Sequence, residues 1–195
     1  MDLREWILDD LRNLRVTYRL FLRPSLTAEM WRTEPTGGGN APAWYLWHAA
    51  RWQDVAVNVL ARSATPVLER DDWHERLNID HSLTGTGMTQ TEASNLAEAV
   101  NLEALEAYFE AVLAETANWI EGVDLAALSE ARPDAPARVS AGPVVITFAN
   151  DAAREGMKRW WADRNAAFFL RFTAIGHTYM HFGEMQHLVS RLSAD

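Results

Sequence analysis

The stretch PAWYLWHAARWQDVAVNVLAR, residues 42–62, decides the fold class that the sequence predicts. Its large apolar side chains recur every three or four residues, which is the period of a helix with one face toward a core. Pro42 suits the first turn, because proline has a helical φ angle and lacks an N–H that this turn leaves unpaired. The predicted inward stripe consists of Trp44, His48, Trp52, Val55 and Val59.

Three other segments carry the same periodicity. Residues 3–22 place apolar side chains at steps of three or four, on a stripe of Leu3, Ile7, Leu11, Leu14, Tyr18 and Phe21. Residues 89–122 and residues 163–192 continue the pattern on either side of a proline-bearing crossing. Four principal helices with at least one long crossover predict an all-α four-helix bundle, formed as a single domain over residues 1–195.

Local signals set the limits of the later segments. Thr89 and Glu92 have the spacing of a capping box, in which two side chains satisfy unpaired N–H groups at a helix start. Asn101 can interrupt this region and cap the next helix. In the crossing, VVITF at residues 144–148 is predicted to form a short strand or extended chain. The last helix is predicted to begin near Asp163.

Composition excludes several kinds of partner and chemistry. Lys and Arg total 18 against 27 Asp and Glu, for a net charge of -9, and no basic run is long enough to follow a phosphate backbone. A nucleic-acid partner is therefore not expected. The chain shows neither a secretory leader nor an apolar run of membrane-spanning length, which predicts a cytoplasmic protein without a membrane partner. With no cysteine, any thiol chemistry must use a thiol from outside.

Candidate site residues begin with HTYMH at residues 177–181, which places two histidines four residues apart. On a helix, such residues share a face, so both imidazoles can reach one cation. The spacing alone is weak support, because six histidines in a chain of this length can form such a pair by chance. Two core imidazoles that share a face remain an alternative at this point.

His48 strengthens the metal interpretation because it also lies on a predicted inward stripe. Three ionisable rings, His48, His177 and His181, would then point into one apolar seam. A buried imidazole without a partner costs a few kcal/mol, so the three need a hydrogen-bond network or a metal. Three protein ligands would leave coordination positions open, which is typical of a catalytic rather than a structural site.

Neighbouring residues on the last helix add further candidates. Glu184 lies three residues after His181, where it could bind the metal, orient a ligand histidine or act as a base. Alternatively, it could pair with Arg51 or another buried cation. Gly176 and Gly183 are expected to admit a neighbouring helix or a ligand close to the backbone.

The remaining histidines are weaker candidates. His187 is predicted to face away from the pair, since it is turned by about 120° around the helix axis from His181. His74 is expected to be solvated. His81 lies with it in the polar connection at residues 68–88 and is also expected to be solvated, although a loop over the end of the bundle could carry it toward a pocket.

Three motifs together resemble the DinB-like family of bacterial four-helix proteins. They are AWYLWHAARWQD at residues 43–54, GTGMT at residues 85–89 and HTYMHFGEMQHL at residues 177–188. The resemblance implies an up-down-down-up bundle with a divalent metal held by one histidine of the second helix and the histidine pair of the last. Those positions match His48, His177 and His181. The family includes enzymes that transfer low-molecular-weight thiols such as mycothiol and bacillithiol, and a related thiol-dependent isomerase. Glu184 stands where the family often has glutamine.

The first functional hypothesis is a divalent-metal-dependent enzyme that transfers a low-molecular-weight thiol to an electrophilic small molecule. The expected cofactors are zinc or nickel, with iron or manganese as alternatives, and an external thiol. A second hypothesis is a hydrolase that uses metal-bound water, with Glu184 as the proton relay. A third is a non-enzymatic bundle that binds a metal or a ligand. A homodimer through exposed tryptophan faces is also predicted.

Overall fold

The computed structural model describes residues 1–80, 82–141 and 148–193. The α-helices are α1 (Leu3–Thr17), α2 (Pro42–Asp54), α3 (Trp73–Leu77), α4 (Gln90–Ala99), α5 (Leu102–Gly122), α6 (Ala135–Ala141), α7 (Asp151–Trp161), α8 (Ala166–Phe168) and α9 (His177–Leu192). Three π-helical segments adjoin them, namely π1 (Tyr18–Leu22), π2 (Val55–Ala61) and π3 (Phe169–Gly176). Short 3₁₀ helices occur at Arg23–Ser25, Met30–Arg32, Val67–Glu69 and Leu125–Ser129.

The principal helices are α1, α2, α5 and α9, three of which are extended by a π-helical segment. Helices α1 and α5 are antiparallel, because Arg4 at the start of α1 donates to the Ile120 carbonyl at the end of α5. Farther along α1, Nε of Arg15 lies 2.7 Å from a carboxylate oxygen of Glu110. Tyr18 comes next, with its ring 6.1 Å from that of Phe182 on α9, so α1 packs between α5 and α9.

Helix α2 lies opposite α1 and completes the bundle. It is parallel to α5, because Asp54 accepts from the Tyr108 hydroxyl at 2.7 Å and Arg62, farther on, pairs with Glu115 at 2.7 Å. It is antiparallel to α9, since its continuation π2 packs against π3, which precedes α9. The order is therefore up-down-down-up, and the long crossover joins the parallel pair. The predicted all-α four-helix bundle is confirmed.

The predicted helix starts agree with the capping contacts. The Thr89 side chain accepts from the Glu92 N–H and the Glu92 carboxylate accepts from the Thr89 N–H, which completes the capping box. Asn101 caps α5 by accepting from the Ala104 N–H at 3.1 Å. These short polar side chains stabilise helix starts by about 1 kcal/mol each, because they satisfy N–H groups that have no intrahelical partner.

Two predicted details at the helix ends are wrong. The predicted first stripe begins on Leu3 and ends on Phe21, which are 54 % and 62 % exposed, whereas Leu22 is buried. The wider turn of π1 displaces the inward position by one residue, so Leu22 succeeds Tyr18 on the buried face. The last helical segment begins at Ala166 rather than Asp163, which instead adopts a positive φ of 60°.

The connection before the last helix also differs from expectation. Helix α7 is absent from the predicted elements; Asn150 caps it by accepting from the Ala153 N–H at 2.9 Å, and Gly156 in its middle obscures the helical pattern. Of the predicted strand or extended chain at residues 144–148, the first four residues lie outside the described ranges, and Phe148 is not in a strand.

Large aromatic side chains fill the space between the helices. Most of the tryptophans are buried, including Trp31, Trp44, Trp47, Trp52, Trp73 and Trp161. Trp6 and Trp160 are about half exposed, at 47 % and 46 %, and the homodimer through such faces stays a prediction. No helix within the described residues has both the length and the apolar character that a membrane crossing requires.

Candidate metal centre

Three histidines from two antiparallel helices meet inside the bundle. His48 lies in the middle of α2, and His177 and His181 occupy the first two turns of α9. One ring nitrogen from each lies within 4.8 Å of the other two, so the group could hold a metal ion. His48 and His181 are each 6 % exposed, and His177 is half-buried. The structure therefore brings together all three candidates that the sequence singled out.

A change of helix type precedes the histidine pair. Segment π3 ends at Gly176 and α9 begins at His177. Turns of π-helix occur often at functional sites, where they shift the register of the helical turns that follow. A Cβ at Gly176 would lie 3.1 Å from the Arg171 carbonyl of the preceding turn. The expectation that a neighbouring helix approaches the glycines is wrong, because Gly176 and Gly183 are both exposed and a Cβ at Gly183 would meet nothing within 4 Å.

The ring of His48 is fixed on two sides. Its Nδ1–H donates to the Thr84 carbonyl at 2.5 Å, and its plane stacks on Trp44 with ring centroids 4.5 Å apart and an interplanar angle of 13°. A carbonyl oxygen can only accept, so Nδ1 carries the proton and Nε2 keeps a lone pair. His48 therefore offers Nε2 as a metal ligand, in the tautomer that metal binding requires.

The ring of His181 is fixed by a carboxylate. Its Nδ1–H donates to Oε2 of Glu184 at 2.5 Å, which leaves Nε2 with a lone pair. That Nε2 lies 3.1 Å from Nε2 of His177. Carboxylates commonly orient metal-ligating histidines through this contact. Of the roles considered for Glu184, the geometry favours orientation of His181. The alternative partner, Arg51, pairs with Asp54 instead.

The ring of His177 is held by a hydrogen bond on one side only: its Nε2 faces Nε2 of His181, and its Nδ1 is buried without a hydrogen-bond partner. Aromatic rings surround the group: Trp52 lies edge-on to His48 and to His177, with ring centroids 6.3 Å away in both cases. The Tyr45 ring lies 5.5 Å from that of His181. These rings keep water from most of the site, which strengthens any charge interaction within it.

Burial keeps the three imidazoles neutral. It lowers the pKa of His48 well below its ordinary value, and the two neighbouring imidazoles lower it further. The hydrogen bond to Thr84 acts in the opposite direction but is the weaker effect. Burial also lowers the pKa of His177 to about 3, helped by His181. The pKa of His181 is lowered by burial in spite of the Glu184 carboxylate. Neutral rings have the lone pairs that a cation requires, so protons do not compete for the site near pH 7.

The facing nitrogens of His177 and His181 have the spacing that a divalent cation requires, and a ring nitrogen of His48 lies within 4.8 Å of both residues' ligand atoms. Two imidazole nitrogens on one zinc ion, each at about 2.0–2.1 Å, are about 3.3 Å apart in a tetrahedral site, close to the 3.1 Å between the facing Nε2 atoms. Within the residues that the structure describes, no fourth histidine, aspartate or glutamate belongs to the group. Three protein nitrogens leave at least one coordination position for a small molecule.

The other histidines lie apart from the group. His187 is exposed and does not join the group, which agrees with the prediction that it faces away from the pair. His74, expected to be solvated, is half-buried, and its ring nitrogens lie 3.0 Å from the Ile79 carbonyl and 3.1 Å from Glu69. His81 lies outside the described residues.

Sequence reasoning misses the backbone that holds His48. Thr84 contributes through its backbone carbonyl, which every residue type has, so the sequence gives no indication of this contact. Gly85 is the detectable signal: it has a φ of 88°, and a Cβ there would lie 2.7 Å from Nδ1 of His48. The GTG triplet at residues 85–87 lacks the glycine spacing of a phosphate loop, and its role is instead to bring backbone close to the histidine.

Comparison with known proteins places this geometry in a family. A solved structure, the conserved protein of a locus from Enterococcus faecalis, is similar over 100 % of this chain and 99 % of that chain, with a TM-score of 0.70 and 18 % sequence identity. At that identity the likeness shows the fold. A search of the curated proteins finds no match. The model of the DinB superfamily matches residues 12–185, and the chain therefore belongs to the DinB superfamily.

Proposed function

We propose that the chain is a cytoplasmic, divalent-metal-dependent enzyme that transfers a low-molecular-weight thiol to an electrophilic small molecule. One observation carries the proposal: three neutral imidazoles converge with their nitrogens within 4.8 Å, and no fourth protein ligand joins them in the described part of the chain. A purely structural site of this kind normally has four protein ligands. The vacant side is where a small molecule would enter.

His48, His177 and His181 would hold the metal. Zinc or nickel suits neutral imidazoles best, with iron or manganese as alternatives. When bound, a divalent cation would supply a positive charge that lowers the pKa of a coordinated thiol and keeps it as the thiolate at neutral pH. The cysteine-free composition agrees with a sulfur nucleophile that comes from outside.

The surrounding residues support that chemistry because they hold the imidazole rings in place and exclude water from the site. The Thr84 carbonyl and the Glu184 carboxylate keep the Nδ1 protons of His48 and His181 in place, so the rings do not turn during the reaction. Trp44 and Trp52 exclude water from the site. The thiol proton passes to solvent, the sulfur forms a bond to an electrophilic carbon, and the leaving group departs with the electron pair of the broken bond.

The position of Glu184 favours thiol transfer over the hydrolase alternative. A hydrolase at this site needs a base beside the vacant coordination position. Glu184 lies on the Nδ1 side of His181, whereas Nε2 of His181 faces His177. The carboxylate is therefore behind the ring and serves to position it. Thiol transfer needs no such base, because lowering the pKa of the thiol already yields the nucleophile.

The test is a rate measurement on tag-free protein loaded with zinc or nickel. Consumption of an alkylating probe such as monochlorobimane is monitored with mycothiol, bacillithiol, coenzyme A or glutathione, and without thiol. We expect one thiol to accelerate the reaction in the wild type and in the matched control His187→Ala, and no acceleration in His48→Ala. The proposal is wrong if the metal-loaded protein binds none of these thiols, or if it hydrolyses ester or amide substrates without one.

A further inference from the structure

A buried arginine anchors the loop that holds His48. Arg51 is fully buried, one helical turn beyond His48 on α2. Its Nη2 donates to the Ser82 carbonyl at 3.3 Å and its Nε donates to the Leu83 carbonyl at 3.4 Å. The next carbonyl along the chain is that of Thr84, the acceptor for His48. Three successive carbonyls therefore point at two side chains of the same helix.

The arginine is itself held rigidly. Its Nη1 donates to Oδ2 of Asp54 at 3.3 Å, and neither side chain is exposed. The Asp54 carboxylate accepts four further hydrogen bonds, from Asn58, Val67, Leu68 and Tyr108. A buried ion pair costs less when its remaining hydrogen-bonding capacity is satisfied, as it is here. Arg51 therefore has little freedom to turn away from the loop.

Gly85 brings the loop backbone against the ring. Its φ of 88° is in the region that favours glycine, and a Cβ would lie 2.7 Å from Nδ1 of His48 and 3.0 Å from Trp44. With glycine at this place, the loop can approach closely enough for the Thr84 carbonyl to reach Nδ1. The contact thus depends on Gly85 for space and on the anchored carbonyls for position.

We propose that Arg51 is a positioning residue of the metal centre. By holding the Ser82 and Leu83 carbonyls it keeps the Thr84 carbonyl on Nδ1 of His48, which fixes the tautomer with the Nε2 lone pair toward the other two histidines. The proposal rests on the proposed function for the presence of a metal. The effect on the His48 tautomer, however, also exists in metal-free protein and can be measured there.

The first measurement observes the tautomer directly. Metal-free protein labelled with ¹⁵N-histidine is studied by long-range ¹H–¹⁵N spectra, with His48 assigned by its loss in His48→Ala. In the wild type we expect the proton on Nδ1. In Arg51→Met we expect a mixture of tautomers or a proton on Nε2. Asn58→Ala is the control, because it removes a buried partner of Asp54 without touching Arg51 or the loop.

The second measurement is zinc affinity by competition with a chelator, on a matched pair of glycines. Gly85→Ala and Gly87→Ala both put a side chain at a positive φ, and both Cβ atoms would lie 2.7 Å from a neighbouring atom. Only Gly85 abuts His48; the neighbour of Gly87 is Asn150. We expect affinity to fall about 10- to 100-fold in Gly85→Ala and Arg51→Met, as for loss of other contacts that orient ligands, and to stay within about twofold in Gly87→Ala.

The outcomes separate this inference from the proposed function. A folded Arg51→Met that keeps the wild-type tautomer overturns the positioning role, whatever its thermal stability. If that variant does not fold, the glycine pair decides: equal zinc affinities in the two variants overturn the inference. Failure of the wild type to bind zinc, nickel, iron or manganese contradicts the proposed function and the metal centre, whereas the tautomer measured without metal still decides whether Arg51 positions the His48 ring.

Discussion

The Nε2 atoms of His177 and His181 face each other across 3.1 Å, one turn apart on the last helix. Glu184 holds the proton of His181 on Nδ1, so the His181 nitrogen in this contact has a lone pair. In metal-free protein, His177 must donate to it. A bound cation would replace that proton between the rings and accept lone pairs from both of them and from His48. Such a group has measurable consequences for stability, metal affinity and turnover.

Metal-free protein should lose stability as the pH falls below about 6.5. The folded-state pKa values of His48, His177 and His181 are lowered, that of His177 to about 3. Below the ordinary pKa the unfolded chain therefore binds more protons than the folded one. Each such group lowers the free energy of unfolding by up to about 1.4 kcal/mol per pH unit. Urea unfolding between pH 8 and 5 measures the slope.

The control for this slope is a pair of variants. His177→Gln removes one titrating group from the cluster and should reduce the pH dependence of the free energy of unfolding. His187→Ala removes an exposed histidine outside the cluster and should leave that pH dependence unchanged. A wild-type stability that does not change between pH 7 and 5 would show that the three rings are not buried as neutral groups.

Metal should stabilise the fold through the same three rings. A ligand at about 100 times its dissociation constant stabilises the native state by about 2.7 kcal/mol, which corresponds to a rise of about 5–10 °C in Tm for a chain of this size. Calorimetry with and without zinc should show this rise in the wild type. His48→Ala should show none; an equal rise in that variant would place the metal elsewhere.

Glu184 can be tested by separating its hydrogen bond from its charge. Glu184→Gln can still accept from Nδ1 of His181, so metal affinity should fall less than about tenfold, whereas Glu184→Ala should lose about 10- to 100-fold. Thiol-dependent turnover per bound metal should persist in Glu184→Gln. If turnover disappears with the metal content intact, Glu184 acts as a proton relay, as the hydrolase alternative requires.

The two glycines of the last helix should respond in opposite ways to alanine. Gly183→Ala places a methyl group in open space on an exposed helix and should stabilise by about 0.5–1 kcal/mol. Gly176→Ala places it 3.1 Å from the Arg171 carbonyl within π3, so it should be less stable than Gly183→Ala by at least about 1 kcal/mol. Urea unfolding of both variants decides; equal stabilisation would mean that the π-helical turn relaxes at little cost.

The fold and the three histidines can be predicted because periodicity reports them directly. The stripe around Trp44, His48 and Trp52 determines which face of α2 is buried, and the four-residue spacing of His177 and His181 determines that they share a face. Both depend on local geometry alone. Antiparallel packing of α2 against α9 then brings the two sets together.

Other features depend on contacts between segments that are distant in the sequence. The Thr84 carbonyl and the Arg51 guanidinium act through backbone groups of a loop, which have no residue-type signature. The π-helical segments shift the helical register, yet none of them starts with a proline or glycine that would mark the shift in the sequence. In π1, for example, Leu22 is buried where the regular spacing predicts Phe21. Helical spacing puts Glu184 on the correct face, but which atom it bonds depends on the rotamers of two side chains.

The most direct test is the metal content of tag-free protein, since a polyhistidine tag would bind metal of its own. Wild type and His181→Ala are each incubated with zinc, nickel, iron or manganese, passed through gel filtration and assayed for bound metal, with His187→Ala as the control from the same helix. We predict about one ion per chain in the wild type and in His187→Ala, and none in His181→Ala. Wild-type protein that retains no ion, or His181→Ala that retains as much as wild type, would contradict the three-histidine metal centre.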